Sequence, residues 1–558
     1  MALTSKKKSR TATHRPATRR RRFRHDDLIA VDLFSGFGGL TRGIEVAGFT
    51  TIMAANHNSY KVEVHEANHP DAEHWIADLV DPEAADYHSA RDLPAADLLV
   101  AGVSCVNHSQ ANTVKAYEQG MTLFELDDPD FEERVTRSER DRATANCVLH
   151  YAAQHRPRLI LIECTTGLQS WGPALPNHPK IGDGSTYRWW LNQFDLLNYN
   201  HKVLFLNSQF FGVPQSRDRL YIAFWDKSLP EPDLEHRPVS RCHQCDKDVE
   251  AVWTWKTGIP LSGSVSYGKQ YEYRCPSCRA QVVPPMTPSL AALDLSDLGT
   301  RIGDRPLKTF KDGTVAPFAA STMARAERCR QRFADFPAVL MPAKGVHGSE
   351  RLLLQPLATQ TSQQEAAVLS AGPVIDPLWA QAAVERVLSP VAVAVDNFQG
   401  APRGVAEPLP TQVGSETFAV VSSGVVPYRK HTLPAVHGEA MPTFTSEQIP
   451  GVLSATATVG GGVAEAELAA LWRATLSELP LEKCYYRMMR EYEIGRGCGF
   501  DVDFGEYRGT FRVWGSARNQ VDGFGNAVSP QVGAWIGSRL RAAIHSSSRH
   551  QGNAKLAA

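Results

Sequence analysis

Long apolar runs and densely spaced cysteines are both missing from this sequence of 558 residues. No run of about 18 apolar residues occurs, and the basic N-terminal stretch is not followed by an apolar segment. We therefore predict neither a membrane-spanning helix nor a secretory signal, and we expect a cytoplasmic location. The ten cysteines are too sparse for the disulfide scaffold of a secreted protein, which favours metal binding and free thiols.

A net charge of either sign is also lacking, because 59 Lys and Arg balance 60 Asp and Glu. The balance conceals a basic N-terminus: residues 1–25 hold ten Lys or Arg and no acidic residue. Such a segment cannot bury a core, so we predict a disordered basic arm. The chain as a whole has an ordinary globular composition, with 43% hydrophobic residues, and its length predicts about two to four domains.

Short apolar runs alternate with helix-like stretches between residues 26 and 228. Runs of this kind are typical of strands that are buried on both faces, as in parallel sheets with crossover helices. The predicted fold class is α/β, with a doubly wound, mostly parallel sheet. The runs are 28–34, 50–55, 97–101, 159–162, 201–206 and 220–225.

Frequent Pro and Gly and short β-branched segments mark residues 229–482, which predicts a separate β-rich, loop-rich insert. The insert contains a degenerate repeat of the form Gln/Glu-x-Leu/Met-x-Thr, followed by a β-branched run, with copies that begin at Gln355, Glu407 and Glu439. The intervals of 52 and 32 residues exclude a regular solenoid and favour a turn and strand that recur within one domain.

Helical and Gly-rich patterns return after the insert. We expect residues 483–548 to complete the first domain and residues 549–558 to form a tail. Within this part, residues 529–544 have the pattern of an amphipathic helix that docks on the first domain.

A glycine turn, Val31-Asp-Leu-Phe-Ser-Gly-Phe-Gly-Gly-Leu40, leads from the first predicted strand into a helix. Glycines let a ligand approach the backbone closely, and a helix N-terminus presents unpaired N–H groups. Taken alone, the motif is equally compatible with an ordinary tight turn.

Side chains capable of catalysis lie next to three of the other predicted strands. Cys105 comes after strand 97–101, Glu163 ends strand 159–162, and Arg217 and Arg219 lead into strand 220–225. Open α/β sheets place ligand-facing groups at the carboxyl ends of their parallel strands. Taken singly, a buried cysteine, a solvated acid and a basic surface strand are the ordinary alternatives.

In their order along the chain, these segments resemble the motifs of the DNA cytosine C5-methyltransferase family. The resemblance covers about half of the chain, residues 26–228 and 483–548. The matching motifs are Asp32-Leu-Phe-Ser-Gly-Phe-Gly-Gly39, Gly102-Val-Ser-Cys-Val-Asn-His-Ser-Gln110, Leu159-Ile-Leu-Ile-Glu163-Cys-Thr-Thr166, Gly212-Val-Pro-Gln-Ser-Arg-Asp-Arg-Leu-Tyr-Ile222, Arg487-Met-Met-Arg-Glu491 with Gly499-Phe500, and Gly525-Asn-Ala-Val-Ser-Pro-Gln531.

The resemblance implies a site for S-adenosylmethionine at the glycine turn, completed by the strand ends beside it and by the last motif. The implied cofactor-binding residues are Asp32, Phe34, Ser35, Gly36, Gly38, Gly39, His57, Asn58, Asp78, Asn526 and Val528.

The resemblance also implies the catalytic residues. Cytosine C5 is a poor nucleophile until a thiolate adds to C6, and Cys105 is the implied nucleophile. Glu163 is expected to assist at cytosine N3, Arg219 to bind O2, and Arg217 to support the loop. Cys105 lies between Ser104 and Val106, where the family usually has proline and glutamine.

Two Cys-x-x-Cys pairs lie in the insert, Cys242 with Cys245 and Cys275 with Cys278. Pairs that enclose 29 residues fit a tetrahedral four-cysteine zinc ribbon over residues 242–278, so a structural zinc is predicted. Reduced thiols without metal are the alternative. The sequence leaves open whether this ribbon contacts DNA or only stabilises a loop-rich domain.

The expected activity is methyl transfer to a cytosine flipped out of double-stranded DNA, which enters between the catalytic part and the insert as recognition domain. The expected protein is a monomer of the bacterial or phage type, nucleoid-associated, with no membrane partner. A cognate restriction endonuclease is a further expected partner if the chain serves restriction–modification. The alternatives are a cytosine-modifying enzyme with another product or acceptor, and a degenerate protein that only binds DNA.

Overall fold

The computed structural model describes residues 26–103, 144–370 apart from short gaps, single strands between 390 and 453, and 480–556. Among these residues no helix combines the length and the apolar character needed to cross a membrane. The basic arm, 1–25, and the predicted nucleophile Cys105 lie outside the described residues.

A seven-stranded sheet lies at the centre, in the order third, second, first, fourth, fifth, ninth and eighth strand. The sixth and seventh strands pair only with each other. The nine strands are β1 (Ile29–Leu33), β2 (Thr50–Asn56), β3 (Glu73–Ile76), β4 (Leu98–Gly102), β5 (Leu159–Cys164), β6 (Ala174–Leu175), β7 (His178–Gly182), β8 (Tyr199–Asn207) and β9 (Asp218–Asp226).

The prediction of a mostly parallel sheet is confirmed, and each of the six apolar runs forms one of its strands. β1 to β5 pair in parallel, whereas β9 runs antiparallel to both β5 and β8. Residues 208–217, which join β8 to β9, are too few for a helical crossover, so these strands form a hairpin. β3 has only four residues and was not predicted.

Helices cover both faces of the sheet, which confirms the doubly wound arrangement. Two helices, the first and the eighth, pack on one face, and the third and fourth pack on the other. The eight helices are α1 (Gly39–Val46), α2 (Ser59–Asn68), α3 (described over 144–155), α4 (Ser185–Leu196), α5 (Ala320–Arg332), α6 (Glu491–Gly497), α7 (Ala517–Asn526) and α8 (Pro530–Leu556).

The predicted amphipathic helix corresponds to α8, which begins at Pro530 and docks on α1. Proline suits this first helical position because its missing N–H would have no partner there. The two helices cross closely at Gly43, where an added Cβ would lie 2.6 Å from the carbonyl oxygen of Pro530. Ile44 of α1 and Ile536 of α8 are both fully buried beside this crossing.

The described part of residues 229–482 contains small sheets and the helix α5, which agrees with the predicted β-rich character of this region. The remaining strands are β10 (Val239–Cys242), β11 (Lys247–Glu250), β12 (Val252–Trp255), β13 (Tyr271–Arg274), β14 (Gln281–Val282), β15 (Thr300–Arg301), β16 (Lys308–Thr309), β17 (Val315–Ala316), β18 (Ala338–Pro342), β19 (Arg351–Leu352), β20 (Ala366–Ser370), β21 (Pro390–Ala394), β22 (Arg403–Gly404), β23 (Phe418–Ser422), β24 (Gly424–Val426), β25 (Ala435–Val436), β26 (Gly451–Leu453) and β27 (Tyr485–Met488).

The sequence repeat is also a structural repeat. Strands β18 to β20, β21 to β23 and β24 to β26 form three units, in each of which the first strand pairs antiparallel with both others. Each sequence copy precedes the last strand of its unit, as the predicted turn and strand require. In the first unit, β20 also pairs with β27, so a strand of the C-terminal segment completes a sheet of the insert.

Candidate functional site

The glycine turn connects β1 to α1 through a left-handed backbone. Phe34, Gly36 and Gly38 have φ angles of 61°, 55° and 81°. A Cβ on Gly38 would lie 2.6 Å from Nε2 of the buried His69, so both the backbone conformation and the space exclude a larger residue. The Ser35 N–H donates to the Ala55 carbonyl at 3.2 Å, which ties the turn to the end of β2.

The segment after α7 lies directly against this turn. A Cβ on Gly39 would approach the carbonyl oxygen of Val528 to 1.9 Å, and the rings of Phe37 and Phe524 meet edge to face at 5.2 Å. The side-chain amide of Asn526 turns back to the Asp522 carbonyl at 3.0 Å. The structure thus brings the first and the last of the cofactor motifs together, as the resemblance implies.

The other proposed cofactor contacts lie beyond the ends of β2 and β3. His57 is exposed, and Asn58 caps α2 by accepting the Lys61 N–H at 3.1 Å. The buried carboxylate of Asp78 accepts N–H groups of Val80 and Asp81 at 2.9 and 3.1 Å. These bonds hold the carboxylate in its own turn, at the same edge of the sheet as the glycine turn.

A buried chain of polar side chains lies beneath the glycine turn and was not predicted from the sequence. Thr41 donates to Asp32, His65 Nε2 lies 3.0 Å from the Thr41 hydroxyl, and His65 Nδ1 lies 2.8 Å from His74 Nε2. Because Thr41 donates to Asp32, it accepts from His65, and His65 in turn accepts from His74. The signal for this chain in the sequence is the close spacing of His65, His69 and His74 after β2.

Burial raises the pKa of Asp32 to about 7 and lowers the pKa of His65 well below its ordinary value. Both shifts have the same cause, because a low-dielectric interior disfavours the charged form of each group. The Oδ1 atom of Asp32 is buried and has no hydrogen-bond partner among the described residues. The Asp32 carboxyl group therefore places a buried oxygen atom beside the glycine turn, where it can bond to a ligand.

Replacement of Asp32 by asparagine should change how stability depends on pH. Asp32 binds its proton more tightly in the folded state than in the unfolded chain, so the free energy of unfolding falls as pH rises from about 4 to about 7. In Asp32→Asn this decrease in the free energy of unfolding, which amounts to about 2–4 kcal/mol, should be absent. Urea unfolding of both proteins across this range measures it, with the exposed Glu63→Gln as control. Parallel curves for wild type and Asp32→Asn would contradict the account.

Glu163 and Arg219 form a buried ion pair at the carboxyl end of β5. The side chains are 8% and 13% exposed, and Arg219 Nε lies 3.0 Å from Glu163 Oε1. The pair forms because β9 lies antiparallel beside β5, with Glu163 opposite Tyr221. Pairing in this setting fixes both side chains, since an unpaired buried charge is strongly unfavourable.

Arg217 serves a different structural purpose from Arg219. Its buried guanidinium donates to the carbonyls of Gly525 at 2.9 Å and Gln360 at 3.2 Å. It therefore joins the loop before β9 to the last cofactor motif and to the first repeat of the insert. Its predicted role in supporting the loop during catalysis stays a prediction.

The strand β4 leads toward the predicted nucleophile. Val103 follows β4 and donates its N–H to the Glu163 carbonyl at 3.1 Å. Cys105 comes two residues later in the sequence, outside the described residues, and its role stays a prediction.

The four insert cysteines come together. All four Sγ atoms lie within 4.8 Å of one another, with 3.5 Å between Cys242 and Cys278 and 3.8 Å between Cys245 and Cys275. Backbone N–H groups of Cys278 and Ser277 help to lower the pKa of Cys275 to about 6. Among the described residues this is the one group of three or more metal-ligand side chains close enough to hold an ion.

Comparison with known proteins agrees with these features. Residues 28–125 and 148–253 match the family model of C-5 cytosine-specific DNA methylases. The Type II methyltransferase M.NgoBI of Neisseria gonorrhoeae is 26% identical over 226 residues, which are 39% of this chain and 59% of that protein. The Type II methylase M.HgiEI of Herpetosiphon aurantiacus is 29% identical over 247 residues, 43% of this chain and 48% of that protein.

The chain thus spans about half the length of the curated relatives it matches. Among solved structures, a putative DNA modification methyltransferase encoded within an E. coli prophage has 13% identity, covers 93% of this chain and all of its own, and gives a TM-score of 0.36. That overlap is too loose to support an argument about this chain. The two matched segments contain the glycine turn, Glu163 and both arginines, and in these segments the chain is similar to C-5 cytosine-specific DNA methylases.

Proposed function

We propose that the chain transfers a methyl group from S-adenosylmethionine to C5 of cytosine in a specific sequence of double-stranded DNA. The observation that carries the proposal is the buried pair of Glu163 and Arg219. The Glu163 carboxylate and the Arg219 guanidinium contact each other at one edge of the sheet. The glycine turn lies at the same edge, and β4 ends there beside β5. A carboxyl and a guanidinium held this way match the N3 and O2 atoms of one cytosine edge.

The chemistry assigned to the residues begins with a cytosine flipped out of the duplex. The Cys105 thiolate adds to C6, while Glu163 supplies a proton or hydrogen bond at N3 and Arg219 binds O2, so that electron density moves to C5. S-adenosylmethionine supplies the electrophilic methyl group when bound. The C5 proton is then lost to water, Glu163 takes back any proton given to N3, and the electron pair of the C5–H bond forms the C5–C6 double bond and expels the Cys105 thiolate from 5-methylcytosine.

The residues around the glycine turn fit this cofactor. Gly36 and Gly38 give a backbone that a polar ligand approaches closely, and Asp32 contributes a buried oxygen without a partner among the described residues. Phe34, Ser35 and Gly39 complete the turn. His57, Asn58 and Asp78 hold the ribose and adenine side, and Asn526 and Val528 close the pocket opposite.

The proposed domain organisation follows from the same roles. The catalytic part comprises 26–228 and 483–548, and the insert, 229–482, is the target-recognition domain. The arm, 1–25, binds phosphates without sequence preference. We also propose that the protein acts as a nucleoid-associated monomer in the cytoplasm and that, if it serves restriction–modification, a restriction endonuclease of the same specificity is its partner.

The four cysteines fit zinc. In a tetrahedral site with Zn–S distances of about 2.3 Å, neighbouring sulfurs lie about 3.8 Å apart. The two Sγ pairs measure 3.5 and 3.8 Å. Four thiolates fill the tetrahedron, so the ion would be structural and would leave no position for a substrate.

Elemental analysis should therefore find one zinc per chain. Cys275→Ser should lose the metal and loosen residues 239–283, because metal binding supplies about 10 kcal/mol or more to such small modules. Affinity for S-adenosylmethionine should stay at the wild-type level in this variant, since the glycine turn lies elsewhere. Retention of a full zinc equivalent by Cys275→Ser would contradict the ligand set.

A second candidate is a related cytosine-modifying enzyme with another product or acceptor. It is favoured by Ser104, Val106 and Cys164, which differ from the usual residues around the nucleophile and the glutamate. Nucleoside mass spectrometry after incubation of DNA with isotope-labelled S-adenosylmethionine separates the candidates. Labelled 5-methylcytosine supports methyl transfer to C5, another labelled nucleoside supports the second candidate, and no labelled product favours a protein that only binds DNA.

A further inference from the structure

The four-cysteine module, residues 239–283, packs on the hairpin end of the central sheet. Trp253 donates its indole N–H to the Phe205 carbonyl of β8 at 3.1 Å, and the Trp255 and Phe205 rings lie 5.5 Å apart. Tyr271 and Tyr273 of β13 are fully buried in the same hydrophobic cluster as the strands of the sheet. The module is thus part of the catalytic core's packing.

One segment of the module, 263–267, is bonded to the turn that follows Glu163. The N–H of Val265 donates to the Thr166 hydroxyl at 3.1 Å. The N–H and the carbonyl of Gly263 bond to the side chains of Ser170 and Gln169. These partners belong to the short 3-10 helix Thr166–Ser170, which begins three residues after Glu163.

The same segment is bonded to the beginning of β9 through Asp218. The Asp218 carboxylate accepts the Tyr267 N–H at 3.0 Å and the Tyr271 hydroxyl at 3.3 Å. Asp218 lies between Arg217 and Arg219, and its carbonyl accepts from the Arg219 guanidinium at 2.8 Å. Asp218 therefore bonds to the module through its side chain and to Arg219 through its backbone carbonyl.

The charge of the module argues against a DNA-binding surface. Residues 239–283 contain six Lys or Arg and four Asp or Glu, and a zinc ion with four thiolates carries two further negative charges, so the sum is zero. Arg241 pairs with Asp246 and Asp248, and Arg274 and Lys256 both pair with Glu272. Phosphate binding needs excess positive charge, which this module does not offer.

We propose that Asp218 is a positioning residue through which the metal-binding module holds Glu163 and Arg219 in place. The module bonds to segments on both sides of the ion pair. It bonds to the turn after β5 through Thr166 and to the start of β9 through Asp218. Its contribution is thus to the geometry of the base-binding groups. We call the bonds of the module to Thr166 and Asp218 the brace. That the brace contributes to catalysis rests on the proposed function, whereas the existence of the brace does not.

Hydrogen–deuterium exchange of the full chain tests the brace without relying on activity. We expect Asp218→Ala to keep its zinc yet to raise exchange in 218–221 by at least about tenfold, because the start of β9 loses its bonds to Tyr267 and Tyr271. Asp218→Asn keeps an oxygen that can accept both bonds and should restore protection. Asp248→Ala, on the exposed side of the module, is the matched control. Removal of zinc by a chelator should raise exchange in 218–221 and also in 166–171, which loses its bonds to Val265 and Gly263, while 29–46 stays unchanged.

Methyl-transfer kinetics add the functional readout. Asp218→Ala should lower kcat by about tenfold or more at unchanged KM for S-adenosylmethionine, with rescue by Asp218→Asn. Wild-type exchange in both segments after verified loss of zinc, or equal exchange in Asp218→Ala and Asp248→Ala, would overturn the brace. A wild type that transfers no methyl group would instead refute the proposed function, and the exchange data would still decide the brace.

Discussion

Cys105→Ala should abolish methyl transfer while the protein still binds S-adenosylmethionine. Without a thiolate at C6, cytosine C5 stays unreactive, so turnover should fall by at least about a thousandfold. Cofactor affinity should persist because the thiol is proposed to act on the base, whereas the proposed cofactor site is formed by the glycine turn and Val528, which contact each other. Initial rates with tritiated cofactor, together with calorimetric titration of the cofactor, measure the two properties separately.

Cys484→Ala provides the matched control for loss of one cysteine. Cys484 lies just before β27, where its Sγ is 3.8 Å from the Pro480 carbonyl oxygen, and it belongs to a hydrophobic cluster that contains no residue of β5 or β9. This variant should keep wild-type turnover. Comparable rates in Cys105→Ala and wild type would remove Cys105 as nucleophile and leave the covalent route without support.

Glu163→Gln should lower kcat by about a hundredfold or more, which is the usual range for loss of a positioned acid or base. The glutamine keeps the size of the side chain but neither carries a proton to N3 nor pairs with Arg219 as an ion. Rates should be measured at saturating cofactor and DNA, with Glu250→Gln, an exposed carboxylate of β11, as the control.

Arg219→Ala should be comparably damaging, and the double variant should lose little more than either single one. The two side chains lie 3.0 Å apart and act as one unit, so their effects should not add. Fully additive losses would show that the pair seen in the structure does not act together in catalysis.

The sequence predicted the sheet well because buried parallel strands carry a continuous apolar signal. The reversal of β9 was not predicted, although the ten residues that precede it are too few for a crossover helix. Pairing of β27 with β20 could not be predicted, since it joins segments more than a hundred residues apart through tertiary packing alone.

The site was predicted less completely than the fold. The roles of Glu163 and Arg219 were predicted separately, but their direct contact depends on the register between β5 and β9. Asp218 was not predicted as a site residue, although an acid at the start of a buried strand is expected to accept hydrogen bonds from a neighbouring segment. Thr41 and His65 were not predicted because the spacing of the histidines does not show which side chains they contact, and that contact depends on the packing of α1 against α2.

Bisulfite sequencing of DNA from cells that express the protein tests the central claim most directly. The account predicts that cytosines at one position of a single recurring sequence resist conversion, and that this protection disappears in cells that express Cys105→Ala at the same level. Complete conversion of every cytosine in the presence of folded, cofactor-binding wild-type protein would contradict it.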